Sequence, residues 1–289
     1  MRYGIAVDTA KCMACYCCQM ACKDEHCGHD TALSKSQPMM GQFWIEVREW
    51  ERSDSSRLTK TATVATLCAH CADPACAKAA KNGAVYKRDD GIVIIDPEKS
   101  EGQRQIADAC PIGAVYYNEV LDIPQKCTMC AELLDDPNYL AYLGDPKKFK
   151  KPRCVEACPN NALMFGDLDD PDSDISKYVA SHKQTQLEPL AGQETNVKYL
   201  NVPTVYLAGT VYLPKELEEV AIGAKVSLKA DSGESWEVTT NYFGDWIVDD
   251  LPKNRQVDIT VELAGYKPVK YTAKTDADHY VDMTYLQKA

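Results

Sequence analysis

An α+β protein in two parts is predicted from two observations: the cysteines are confined to one half in repeated spacings, and the other half reads as short alternating strands. All 14 cysteines fall between Cys12 and Cys158. At 289 residues the chain exceeds one typical domain, so two domains are expected. The cysteine density is below that of small disulfide scaffolds, which are also far shorter. With 32 basic against 43 acidic residues the net charge is -11, which disfavours nucleic acid or an anionic membrane as a partner.

The N-terminus, Met1 to Asp8, reaches an acidic residue too soon to hold the apolar core of a signal peptide. No apolar run approaches the roughly 18 residues of a membrane span. A soluble chain without direct membrane insertion is expected, in the cytoplasm or else exported with a partner that carries the signal.

Internal repeats organise the first half. Asp8-Thr-Ala-Lys-Cys12 opens a run with cysteines at 12, 15, 18 and 22. Asp96-Pro-Glu-Lys-Ser100 opens a copy in which the same steps land on Gln103, Ile106 and Cys110, so three of its four thiols are lost. A second repeat reads Cys68, Cys71, Cys76, Ala80 and again Cys127, Cys130, a long insertion, Cys154, Cys158. Similar tails follow at Asn82–Tyr86, Pro111–Tyr116 and Pro159–Phe165, each read as a short strand leaving a turn. The pattern predicts two nested ferredoxin-like modules over residues 1–166, the inner one at about 61–119. An acidic and polar linker is expected over 167–200. From 201 to 289, alternating runs such as Thr204–Leu207, Lys225–Leu228, Ser235–Val238 and Val257–Val261 predict an all-β sandwich or barrel of about seven strands, transthyretin- or Ig-like.

A [4Fe-4S] cubane needs four converging thiolates, and a compact Cys-x-x-Cys-x-x-Cys loop supplies only three. In two-cluster ferredoxins the fourth cysteine of each run serves the other cluster. That exchange assigns Cys12, Cys15, Cys18 and Cys158 to one cluster, Cys22, Cys127, Cys130 and Cys154 to a second, and Cys68, Cys71, Cys76 and Cys110 to a third. A fourth site would need the positions of Ser100, Gln103, Ile106 and Ala80. All four of its ligands are gone, so three [4Fe-4S] clusters are expected. Paired Cys-x-x-Cys also makes zinc sites, but zinc ribbons do not usually show the Cys12 to Cys22 run. Cys17 and Cys27 fall outside the repeat and read as packed small hydrophobes. His70, between two ligands, is either a donor to a cluster sulfur or a plain loop histidine.

Over residues 1 to about 166 these motifs, with Lys126-Cys-Thr-Met-Cys130, Asp90-Gly-Ile-Val-Ile-Ile-Asp96 and Cys110-Pro111, resemble the four-cluster iron-sulfur subunits of molybdopterin oxidoreductases of dimethyl sulfoxide reductase type. The departure is the missing fourth site. That departure and the C-terminal strands, with Gly223–Leu228, Thr240–Gly244 and Ala264–Tyr266, resemble one branch in particular. Its members are the small subunits of transhydroxylase type, with three cubanes and an appended seven-stranded β domain. The resemblance implies an anaerobic heterodimer in which a large catalytic subunit alone holds molybdopterin with Mo or W and acts on polyhydroxylated aromatics as transhydroxylase, hydroxylase or dehydroxylase. This chain would be its electron-transfer subunit, with no catalytic residue of its own. The alternatives are the electron-transfer subunit of a membrane-anchored respiratory reductase, a free-standing polyferredoxin and a zinc-binding structural protein. The β region, whose His279 stands alone, is expected to dock on the large subunit.

Overall fold

A computed structural model describes residues 1–53, 58–138, 150–281 and 283–289. The long insertion between Cys130 and Cys154 lies partly outside them. The chain forms two compact units: Met1–Glu49 with Thr63–Val202, and Trp50–Ala62 with Pro203–Ala289.

The first unit is organised by the strand Tyr3–Asp8, whose near-continuous burial matches its central place in a four-stranded sheet. It pairs antiparallel with Leu163–Asp167 and parallel with Val197–Leu200, which in turn pairs with Gln184–Thr185. Gly4 is required by close approach, because a Cβ there would stand 2.6 Å from the Asn196 carbonyl oxygen. The buried Asn196 side chain donates to the Tyr3 and Gly91 oxygens at 2.9 and 3.1 Å, tying this sheet to the hairpin of Val85–Lys87 and Val93–Ile95. A second hairpin joins Val115–Asn118 to Ile123–Lys126. Strands thus follow each of the three repeated tails, at Val85, Val115 and Leu163.

The segment 167–200, expected as a linker, is instead built into this unit. Ser173 caps the helix Asp174–Ser181 by accepting the Ser176 N–H at 3.2 Å. Ile175 and Val179 on its inner face pack with Ala6 and Leu200. Only two of its residues are buried, so the segment reads as polar although it is anchored.

In the second unit, burial alternates along Lys225–Ala230 and Gln256–Glu262, as period-two patterning dictates. One four-stranded sheet runs Ser235–Thr239, Lys225–Ala230, Gln256–Glu262, Val269–Lys274. A second has Val205–Tyr212 at its centre between Asp245–Leu251 and His279–Tyr280, with Thr284–Tyr285 also on Val205–Tyr212. Val226, Leu228 and Ile259 of one sheet and Val205, Leu207 and Trp246 of the other share one core cluster. Of the described residues, six strands of five or more residues and four of two residues form this region, where about seven were expected.

The expected start of this region at 201 is corrected in one respect: the hairpin tip Trp50–Ala62 belongs with it. Two buried side chains hold the tip there. The Tyr206 hydroxyl donates to the Arg52 and Leu58 oxygens at 3.3 and 3.0 Å. The buried Arg52 guanidinium meets Asp278 at 2.9 Å and Asp249 at 3.1 Å.

Candidate metal centres

Every one of the twelve cysteines assigned above lies in the first unit, and each loop that carries them is shaped by left-handed backbone. Ala14 and Tyr16 (φ 54° and 59°) bend the Cys12–Cys18 loop, His70 (45°) the Cys68–Cys71 loop, and Met129 with Cys130 (56° and 50°) the loop after Lys126. For non-glycine residues this conformation costs about 1–2 kcal/mol each, and such strain gathers where a ligand clamp demands it. The two Cys-Pro turns are copies. Gly113 and Asn161, three residues after Cys110 and Cys158, are left-handed, and the next residues, Ala114 and Ala162, donate their N–H to those sulfurs at 3.3 and 3.2 Å. Met129 donates likewise to Cys127 at 3.3 Å.

The first four cysteines meet around one apolar cavity, lined by Cys12, Cys15, Cys18 and Cys158 with Val7 and Leu163. Burial pushes the Cys18 thiol up to about 12, and Cys12, Cys158 and Cys15 add to the shift. Cys18, not Cys17, lines the cavity. Cys17 is exposed, and its thiol is raised by a hydrogen bond to Cys15. Cys27 stands apart, bridged through its backbone to Gln37.

The second set is the most deeply placed, with Cys22, Cys127, Cys130 and Cys154 all buried. The helices Cys17–His26 and Arg153–Glu156, packed against each other, carry Cys22 and Cys154. Burial holds the Cys130 and Cys154 thiols well above their ordinary range; Cys154 and Cys22 reinforce it at Cys130, and Cys22 and Cys127 at Cys154.

In the third set, burial pushes Cys71 and Cys76 up to about 11, with Cys68 and Cys110 as the reinforcing neighbours of both. Thiols of different sets also act on one another. Cys18 of the first acts on Cys154 of the second, and Cys68 of the third acts on Cys127 of the second.

Four buried thiols that oppose one another's ionisation are a poor site for anything but a cationic core. Such a core draws off the protons and shares the resulting charge. The donor chemistry therefore fits iron-sulfur clusters. Among the described residues no group of three or more His, Cys, Asp or Glu side chains is arranged to hold a single metal ion; a cubane is larger than an ion and spaces its thiolates more widely.

The place of a fourth set is filled by protein. Ile106 is fully buried in a cluster with Cys76, Val93 and Val115, and Ala80 packs against it. Gln103 is buried with its amide accepting the Lys81 N–H at 2.8 Å and donating to the Lys99 oxygen at 2.7 Å. Ser100 is fully buried. Ile106→Ala is expected to cost about 2–5 kcal/mol, read as a lower thermal unfolding midpoint.

Three polar groups beside the thiols carry further interest. His70 is fully buried. Its Nδ1 accepts the Val93 N–H at 3.0 Å, so the proton sits on Nε2, which finds no partner among the described residues. His26 lies one helical turn beyond Cys22, with Nε2 3.5 Å from the Cys130 sulfur and Nδ1 3.1 Å from Glu132. Burial and then His29 push His26 down to about 4, so it is neutral. Counting repeats passes over His26, although its spacing of four from Cys22 on a helix is a usable signal. Lys126 stands out in the sequence only as part of a motif, yet it is buried with its ammonium on backbone oxygens.

Residues 59–168 match the family model described as a 4Fe-4S dicluster domain. The chain is 33% identical over 290 residues to the pyrogallol hydroxytransferase small subunit of Pelobacter acidigallici, covering 99% of each chain. It is 32% identical to a putative dimethyl sulfoxide reductase iron-sulfur subunit of Halobacterium salinarum, over 69% of this chain and 79% of the relative. Against one polypeptide of the anaerobic dimethyl sulfoxide reductase of Escherichia coli the identity is 33%, over 58% of this chain and 75% of the relative.

Proposed function

The chain belongs to the iron-sulfur subunits of molybdopterin oxidoreductases of dimethyl sulfoxide reductase type, and from that premise we propose that it binds three [4Fe-4S] clusters and serves a molybdopterin catalytic subunit that acts on polyhydroxylated aromatics. The observation that supports the cluster count is the meeting of Cys12, Cys15, Cys18 and Cys158 around one cavity and the common burial of Cys22, Cys127, Cys130 and Cys154, beside a place packed with Ile106, Gln103, Ser100 and Ala80. The aromatic substrate is supported by the full-length likeness to a pyrogallol hydroxytransferase small subunit. Two nested ferredoxin-like modules and a separate sandwich that docks on the large subunit complete the proposal, as does residence in the cytoplasm, which cell fractionation tests. Among the described residues no helix is long and apolar enough to cross a membrane.

Bound cubanes supply one-electron storage at tunable potential. The protein's share is to hold and tune them. Cys12, Cys15, Cys18 and Cys158 would ligate one, Cys22, Cys127, Cys130 and Cys154 the next, and Cys68, Cys71, Cys76 and Cys110 the third. The N–H groups of Ala162, Met129 and Ala114 place one sulfur donor in each set, which favours the reduced state. Cys22, Cys127 and Cys154 lie within one buried core cluster, and Cys130 is buried as well.

The test is iron and acid-labile sulfide on anaerobically purified protein. About twelve of each per chain is expected. About sixteen would show a fourth cluster, and zinc in place of iron would end the electron-transfer reading. Co-purification of a molybdenum- or tungsten-containing large subunit, with turnover of pyrogallol, tests the partner and substrate.

A further inference from the structure

Lys126 ends the strand Ile123–Lys126 immediately before Cys127 and is 3% exposed. Its ammonium donates to the Val93 oxygen and, at 3.0 Å, to the Cys127 oxygen. Among the described residues no carboxylate lies within ion-pair reach of it. A buried ammonium with only carbonyl dipoles as partners is costly unless an anion stands nearby.

The surroundings supply candidates for that anion on two sides. Val93, whose oxygen takes the ammonium, donates its own N–H to His70, the neighbour of Cys71, and packs in one cluster with Cys76 and Cys110. On the other side, Cys127 is bonded to Lys126 in the chain. The ammonium is therefore held by one carbonyl that belongs to a ligand of the Cys22/Cys127/Cys130/Cys154 set and by another whose residue packs with Cys76 and Cys110. Neither of these carbonyls belongs to the segments that carry Cys12, Cys15, Cys18 and Cys158.

We propose that Lys126 is a shared counter-charge for two iron-sulfur clusters, those of the Cys22/Cys127/Cys130/Cys154 and Cys68/Cys71/Cys76/Cys110 sets, and that it raises the potential of both. The inference rests on the cluster assignment above. A cubane held by four thiolates is net negative in both redox states, and reduction adds a further charge. A fixed ammonium in a poorly screened interior therefore favours the reduced form. Because one group serves both sets, their potentials move together while that of the Cys12/Cys15/Cys18/Cys158 cluster stays.

The experiment is a redox titration of the whole anaerobically purified protein followed by EPR, with iron content measured on the same samples. Lys126→Met is expected to lower two of the three midpoints, so that at a fixed potential the ratio of reduced to oxidised cluster falls about tenfold, equal to about 59 mV for one electron. Lys126→Arg is expected to leave all three near wild type. Lys126→Gln keeps a donor for the two carbonyls without the charge, and is expected to behave as the methionine variant does. Unmoved midpoints in Lys126→Met with full iron overturn the proposal. Iron lost in the methionine and glutamine variants but kept in the arginine variant supports it, since charge is then what the site needs. Iron lost in all three overturns it in favour of a packing role. A wild-type chain without iron would instead remove the cluster reading itself.

Discussion

Cys154→Ser is expected to lower the iron content from about twelve to about eight per chain and to remove about one electron from the reductive titration. Cys154 is buried on the helix Arg153–Glu156, which packs against the helix that carries Cys22. Serine keeps the size and removes the soft thiolate, so the fold is left with three ligands around a core that needs four. The outer sets are bound by other residues and keep their iron. Iron and sulfide analysis, with EPR of the reduced protein, reads the result. Retention of all twelve irons in Cys154→Ser would show that this residue is not a ligand. The matched control is Cys17→Ser, which is expected to change neither count, because Cys17 is exposed and outside the cavity.

Arg52→Met is expected to destabilise the second unit by about 3–5 kcal/mol, the usual cost of removing one partner from a buried ion pair. The Arg52 side chain is 4% exposed, and Asp278 and Asp249 are 15% and 36% exposed. Methionine fills part of the volume but takes the guanidinium from Asp278, whose Oδ1 keeps the Tyr206 N–H at 2.8 Å. A fall in the unfolding midpoint, together with faster proteolysis within Pro203–Ala289, is the measurement. The pH dependence follows from Asp249. Burial alone would raise its pKa, but Lys60, the Asp250 N–H and Arg52 outweigh that and hold it below the usual carboxylate value. A depressed folded pKa stabilises above the unfolded value of about 3.9. The contribution is lost as pH falls through the lower folded value. Arg52→Met should weaken this acid transition, because one of the groups that depress Asp249 is gone.

The candidate ligand residues were legible because their spacing repeats in the chain. Counting steps from Asp8 and from Asp96 finds Cys18 rather than Cys17, and finds Ile106 where a thiol was lost. What the counting could not reach is contact between distant segments. Lys126 acquires its meaning from the Val93 oxygen, thirty-three positions earlier and on another hairpin. His70 acquires its tautomer from the Val93 N–H. The same limit explains the two misplaced boundaries. Residues 167–200 are polar because their helix buries one narrow face, and Val197–Leu200 finds its partner at the opposite end of the chain. Trp50–Ala62 carries no cysteine or alternation to mark it, and Tyr206, Arg52 and Lys60 reveal which core it serves. Alternation, by contrast, is a local property, so the strands from Val205 onward could be read almost in place.

The pairing of Tyr3–Asp8 with Leu163–Asp167 and Val197–Leu200 has a consequence for biogenesis. On the ribosome, the first strand emerges long before either neighbour, and at about 5–20 residues per second it waits on the order of ten seconds or more. Cys12, Cys15 and Cys18 wait equally long for Cys158. The Cys68/Cys71/Cys76/Cys110 set alone closes within one short stretch of nascent chain. On the proposed ligand sets, the inner module can be completed during translation, whereas the outer sites are completed only after synthesis of most of the polypeptide. The interval leaves an apolar strand and the thiols that follow it open to aggregation and oxidation.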